Sequence, residues 1–159
     1  MDALSNLALS TQVRAAYWTV APEGTKALTA LHAYFPNCGL ESSLLHLVFL
    51  RVSQMNGCAY CVDRHCSDAL AAGETVRRVN SVITWRESPF FTPRERAAFN
   101  WAETLTLVAD THAPDTDYIA AREEFSEKEL VDLSLAISLM NALNRMAIGF
   151  RRRPPEKPP

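Results

Sequence analysis

A chain of 159 residues can bury a core without crosslinks or metal, and a single domain is its simplest organisation. Hydrophobic residues make up 48% and charged residues 21%, with a formal net charge of -2. That balance argues against nucleic acid or a membrane surface as the partner and favours a small molecule or a protein.

The opening stretch MDALSNLALSTQVRAAYW has neither a basic leader nor an unbroken hydrophobic run, and no later apolar run reaches membrane-spanning length. The expectation is a cytoplasmic protein. Its four cysteines are then reduced at rest, which points to catalytic, redox or metal chemistry or to plain core packing, and away from a disulfide framework.

Periodicity is helical almost throughout, with no long alternating stretch, internal repeat or heptad run. The fold class is therefore all-α, a single bundle of about six to eight helices over residues 1–150 with a Pro-rich tail at 151–159. ESSLLHLVFLRVSQM (41–55) is apolar on most faces and predicts a buried helix, broken by Asn56 and Gly57, a pair that tolerates positive φ. A second helix follows over about 58–72, with Gly73 as its natural terminator. ETVRRVNSVITWRES continues as one or two short turns before Pro89.

TPRE (92–95) offers Thr92 as N-cap, Pro93 at the first helical position and Glu95 to close a capping box ahead of RAAFNWAETLTLVAD. HAPDTD reads as a connector, YIAAREEF as a short helix, and SEKE (126–129) as a second capping box before a long, mostly buried helix ending near Phe150. The three arginines at 151–153 fit a helix C-terminus better than a phosphate site, since cations suit that end of the dipole.

The chemistry concentrates in NGCAYCVDRH (56–65). At about 100° per residue, Cys58 at zero puts Cys61 near 300°, His65 near 340° and Cys66 near 80°. Cys58, Cys61 and His65 thus share a face, whereas Cys66 is expected to be a packing residue. Ala69 and Ala72 extend the dithiol face and would let a neighbouring helix enclose the thiols.

Cysteines near a helix start are favoured as thiolates, and a histidine one turn on can share the thiol proton. Oxidation of one sulfur to sulfenic acid lets the other condense with it to a disulfide. A lone CxxC also occurs in zinc sites and by chance. Zinc would need a fourth ligand beside Cys58, Cys61 and His65, from His46 or Cys38, and no second CxxC or HxxxH pair is present, so no metal is expected.

The string LRVSQMNGCAYCVDRHCSDALAAGE, followed by WRES, FTPRERAAFNWAETLT and FSEKELVDLSLAISLMNALNR, resembles the alkylhydroperoxidase D-like branch of the carboxymuconolactone decarboxylase superfamily, over about residues 44–148. The resemblance implies an all-helical subunit that forms trimers or hexamers, with the dithiol helix near a subunit interface. It further implies that Cys61 attacks a hydroperoxide, Cys58 resolves it and His65 relays protons, with an external dithiol as reductant and no cofactor. Dipole reasoning alone favours Cys58 as the more acidic thiol, while His65 at i+4 favours Cys61.

The family's relay usually has a glutamate twelve residues before the first cysteine, and this chain has His46 there. Within LLHLVFL, His46 is expected to be desolvated and neutral, either as the base in the glutamate's place or as a core histidine bonded to a backbone carbonyl. Asn141, Asn144 and Arg145 match a recurring family pattern, with Leu143 where tryptophan is common, and are read as structural, as are Trp85 and Trp101. No partner for His32, His112 or Cys38 can be identified in the sequence. The leading expectation is a thiol peroxidase acting on organic hydroperoxides, with a redox-sensing or disulfide-exchange module as the alternative. A lactone-acid decarboxylase is disfavoured because that chemistry needs no dithiol.

Overall fold

The computed structural model describes residues 12–155, so the readings that fall on residues 1–11 and on 156–159 lie outside the described residues. Among the described residues nine α-helices follow one another: α1 (Tyr17–Val20), α2 (Pro22–Thr29), α3 (Ser42–Asn56), α4 (Ala59–Ala71), α5 (Val76–Ser81), α6 (Pro93–Thr106), α7 (Val108–Thr111), α8 (Asp115–Glu124) and α9 (Glu127–Gly149). There is no strand among the described residues, so the fold is all-α. The count exceeds six to eight because α1 and α7 are single turns.

The apolar helix α3 is central because its side chains are buried in two directions, and it packs against α4, α6 and α9. Leu44, Leu45, Val48 and Val52 join Trp101, Phe125, Leu133, Ile137 and Met140 in the larger core. Leu47 and Leu50, on another face, meet Ala69, Val82, Trp85, Phe91 and Phe99 in a second core. A helix serving two cores must be apolar nearly all round, which accounts for the sequence of 44–52.

Both capping boxes form. Thr92 Oγ1 accepts the Glu95 N–H while Glu95 returns a bond to the Thr92 N–H, and Ser126 and Glu129 do the same at the start of α9. Gly57 ends α3 in the left-handed region at φ 70°, and the Cys58 N–H closes the turn onto the Ser53 carbonyl at 3.0 Å. Gly73 ends α4 the same way at φ 96°.

Two boundaries differ from expectation. The helix begun at Pro93 stops at Thr106, and 108–111 form a separate turn whose Thr111 Oγ1 donates to the Thr104 carbonyl at 2.8 Å. The expected connector is half helix: α8 begins at Asp115 behind Pro114, with Asp115 and Asp117 in its first turn, where the dipole favours acids. At the C-terminus of α9 the Arg151 and Arg152 N–H groups bond the Ile148 and Ala147 carbonyls, and a further cation joins them. Arg14, from the other end of the chain, donates through Nη1 to the Gly149 carbonyl at 3.0 Å, while Arg152 folds back onto α1 and α4.

Buried amides lock α3 to α9. Asn56 Nδ2 donates to Asn141 Oδ1 at 3.0 Å and Asn144 Oδ1 at 2.9 Å, Asn144 Nδ2 donates to Ser53 Oγ at 3.1 Å, and Asn141 Nδ2 donates to Thr106 Oγ1 at 3.1 Å. Replacing Asn144, which is fully buried, with Ala takes one of two acceptors from Asn56 and the amide donor from the buried Ser53 hydroxyl. The expected loss is about 2 kcal/mol, read as a lower urea midpoint at unchanged slope. An unchanged midpoint would show that the amides relax without cost.

Candidate active site

The chain reverses within two residues between α3 and α4, and Cys58 is the N-cap of the helix that follows. Its Sγ accepts the Cys61 backbone N–H at 3.3 Å. The two sulfurs are joined in a disulfide with Cα atoms 5.3 Å apart, inside the span that a disulfide bridges. Cys58 is 1% exposed and Cys61 5%. The difference matters because Cys61 lines a cavity of about 330 Å³ and Cys58 does not.

Three histidines reach that cavity from three segments: His46 on α3, His65 on α4 and His32 on the 3-10 turn Ala30–Ala33. His65 stands one turn after Cys61 on the same helix face, as the wheel predicts. It is buried against Phe49, ring centroids 5.2 Å apart, and its Nδ1 has no hydrogen-bond partner among the described residues. The Asp68 carboxylate lies 3.9 Å from that nitrogen, beyond hydrogen-bonding reach, and is held by Arg64 Nε at 2.8 Å. Burial lowers the His65 pKa to about 4, with Asp68 opposing the shift and His46, His32 and Arg64 adding to it. The imidazole is therefore neutral across the physiological range. His32, more open to solvent, is also lowered, by desolvation of its ring and then by Arg64.

His46 is half-buried rather than sealed in the core. Its Nε2 lies 3.4 Å from Ser42 Oγ and its Nδ1 has no partner among the described residues, so the backbone carbonyl expected for a core histidine is not what holds it.

Other expectations separate here. Cys66 is half-buried beside the second core, and burial pushes its thiol pKa up. Cys38 is buried in the first core, and its carbonyl accepts Lys128 Nζ at 2.7 Å. No group of three or more His, Cys, Asp or Glu residues is arranged to hold a metal among the described residues. The small-residue seam does not enclose the thiols. Ala69 packs into the second core and Ala72 is exposed, and it is Ala147 and Tyr60 that pack against the dithiol.

The sequence reading missed Arg64 and Asp68, although RHCSD places them beside His65. It also missed His32, Tyr60 and Arg152 as cavity residues. His32 and Arg152 carry no local signal, because the folded chain alone brings them to the dithiol. Leu143 is half-buried at the cavity and leaves more room than a tryptophan would.

The carboxymuconolactone decarboxylase family model matches residues 22–104. The uncharacterized protein YdfG of Bacillus subtilis (strain 168) is 38% identical over 144 residues, covering 91% of this chain and 98% of its own length. A solved structure of an Agrobacterium tumefaciens protein of unknown function, described as a candidate antioxidant defence protein AhpD, matches with a TM-score of 0.89 at 40% identity. It covers 92% of this chain and 100% of its own. The alkylhydroperoxidase AhpD core of an uncharacterized peroxidase-related protein from Ralstonia eutropha JMP134 matches in fold, with a TM-score of 0.77 at 22% identity over 87% of this chain and 74% of its own. The matching family model, the 38% identical relative and the shared fold give one conclusion: the chain belongs to the carboxymuconolactone decarboxylase family, in its alkylhydroperoxidase D-like branch.

Proposed function

We propose that the protein is a cofactor-free thiol peroxidase that reduces organic hydroperoxides to alcohols through Cys61 and Cys58. The observation that carries this reading is that Cys61, and not Cys58, lines a cavity shared with His65 and His46. A sulfur presented to a cavity with two imidazoles has both access for a peroxide and groups to move its proton.

In the reduced protein His65 takes the Cys61 thiol proton and passes it to the departing oxygen, with His46 in the place of the family's glutamate. The Cys61 thiolate attacks the outer peroxide oxygen, an S–O bond forms as the O–O bond breaks, and the alkoxide leaves as the alcohol. The Cys58 thiol then condenses with the Cys61 sulfenic acid: its sulfur forms the disulfide as the S–O bond breaks, and its proton leaves with the hydroxyl as water. An external dithiol, protein or small molecule, attacks Cys61 and expels Cys58. Its second thiol then displaces Cys61, so two electrons pass into the disulfide. Cys58 suits the leaving position because its Sγ already accepts a backbone N–H at the positive end of α4.

The same proposal has the protein acting in the cytoplasm as a homo-oligomer, a trimer or hexamer. The apolar groove bordered by the exposed Tyr118, Val131 and Leu135 suits self-association. No helix among the described residues is long and apolar enough to cross a membrane. The second reading is a redox-sensing or disulfide-exchange dithiol with little turnover. It is favoured by the low His65 pKa, which makes that imidazole a weak base.

Stopped-flow mixing of the reduced protein with cumene hydroperoxide, followed by intact mass spectrometry, separates the two. A peroxidase consumes one equivalent, yields the alcohol and loses two hydrogens in mass. Exchange with external dithiols but no peroxide consumption leaves the second reading. In the same assay His46→Ala lowers kcat/KM by about tenfold and His46→Glu restores much of it, whereas unchanged rates in both variants remove His46 from the mechanism.

A further inference from the structure

Arg152 lines the same cavity as Cys61, and the redox chemistry makes no use of it. Its guanidinium stacks 3.9 Å from the Tyr60 ring centroid and 4.6 Å from that of Trp18, and Nη1 donates to the Tyr17 hydroxyl at 3.3 Å. The backbone is pinned as well, by the Arg152 N–H on the Ala147 carbonyl at 2.8 Å. No carboxylate lies within ion-pair distance of Arg152 among the described residues. Three aromatic side chains therefore hold a full positive charge without neutralising it. Stacking on ring faces leaves most of the guanidinium edge available to a planar anion.

Two of the cavity's other charges cancel. Arg64 is bonded to Asp68, which also lines the cavity, and His65 and His32 are neutral near pH 7. Much of the remaining wall is apolar, from Phe49, Met140, Leu143 and Ala147. At about 330 Å³ the space is at the low end for small-molecule sites, large enough for a single ring or a short chain and too small for a two-chain lipid.

We propose that the cavity selects hydroperoxides bearing a carboxylate, with Arg152 binding the anion and the apolar wall of Phe49, Met140 and Leu143 taking the hydrocarbon between anion and peroxide. The hydroperoxide part of this assignment rests on the peroxidase reading, while the anion anchor rests on Arg152 and its surroundings. The carboxylate itself is unchanged through the cycle, and of the substrate's bonds only O–O is broken.

Two measurements test the anchor. The first compares kcat/KM for cumene hydroperoxide and for its 4-carboxylate analogue in reduced wild type, Arg152→Gln and Arg152→Lys. Wild type favours the carboxylate about tenfold or more, the Gln variant brings the ratio near one, and the Lys variant keeps part of the preference. The second needs no turnover: calorimetric titration of the oxidised proteins with 4-isopropylbenzoate and with the neutral 4-isopropylbenzyl alcohol. Benzoate binding about tenfold tighter than the alcohol, and weakened in Arg152→Gln, supports the anchor even if no peroxide is consumed, in which case the peroxidase reading alone fails. Equal or absent binding of the two probes, with a wild-type ratio near one, overturns the anchor and leaves peroxidase activity standing where turnover is seen.

Discussion

Cys61→Ser leaves the reduced protein unable to turn over a hydroperoxide, with kcat/KM lower by roughly 10³-fold or more, whereas Cys58→Ser reacts once and stops. The asymmetry follows from the site. Cys61 lines the cavity, and Cys58 is shielded beneath the start of α4 with its sulfur on a backbone N–H. Without Cys61 no thiol on the cavity wall can receive the peroxide oxygen and go on to a disulfide. Without Cys58 the sulfenic acid forms but has no neighbouring thiol to condense with, so intact mass rises by one oxygen and stays there. The reverse pattern, an inert Cys58→Ser and a single-turnover Cys61→Ser, would favour the dipole argument over access to the cavity. Equal loss in both variants would mean that the disulfide, rather than one attacking thiol, is the working group.

Lowering the pH from about 7 to about 4 removes about 3 kcal/mol of stability through His65. In the folded protein burial depresses the His65 pKa to about 4, while the unfolded chain binds the proton near 6.5. The unfolded state therefore gains protons first as the pH falls. The contribution is complete above about 6.5, is lost through the interval, and is gone below about 4. The groups facing the ring are Asp68 and Arg64 on its own helix, His46 on α3 and His32 on the 3-10 turn, and only Asp68 works against the shift. Urea unfolding of oxidised wild type and His65→Gln across this range checks the claim. Carboxylates titrate in both proteins, so the informative quantity is the difference, and parallel pH profiles would show that His65 is solvated. The same burial keeps His65 neutral where the enzyme is proposed to work, so it relays a proton rather than holding one.

Much of the architecture was legible because its signals are local. Thr92 with Glu95 and Ser126 with Glu129 announce helix starts in four residues each, and Gly57 and Gly73 end helices because only a residue without Cβ takes positive φ cheaply there. The side-chain period placed Cys58, Cys61 and His65 together and sent Cys66 elsewhere. Where the reading slipped, two signals competed. DTD reads as turn chemistry until Pro114 starts a helix in which those acids face a favourable dipole, and Ala72 extends the dithiol stripe on a wheel although the neighbouring helix does not reach it.

The candidate site divides along the same line. Sequence by itself determined the dithiol, its phase with His65 and the histidine at position 46, because all three depend on spacing along helices. It also carried the resemblance that the family comparison later bore out. Tertiary structure alone decided which sulfur meets the cavity and that His32 and Arg152 join it. It likewise decided that Arg14, from the other end of the chain, joins the tail arginines at the end of α9. Those outcomes depend on which helix faces are covered when residues far apart along the chain pack together, and helical spacing carries no record of which surfaces will meet.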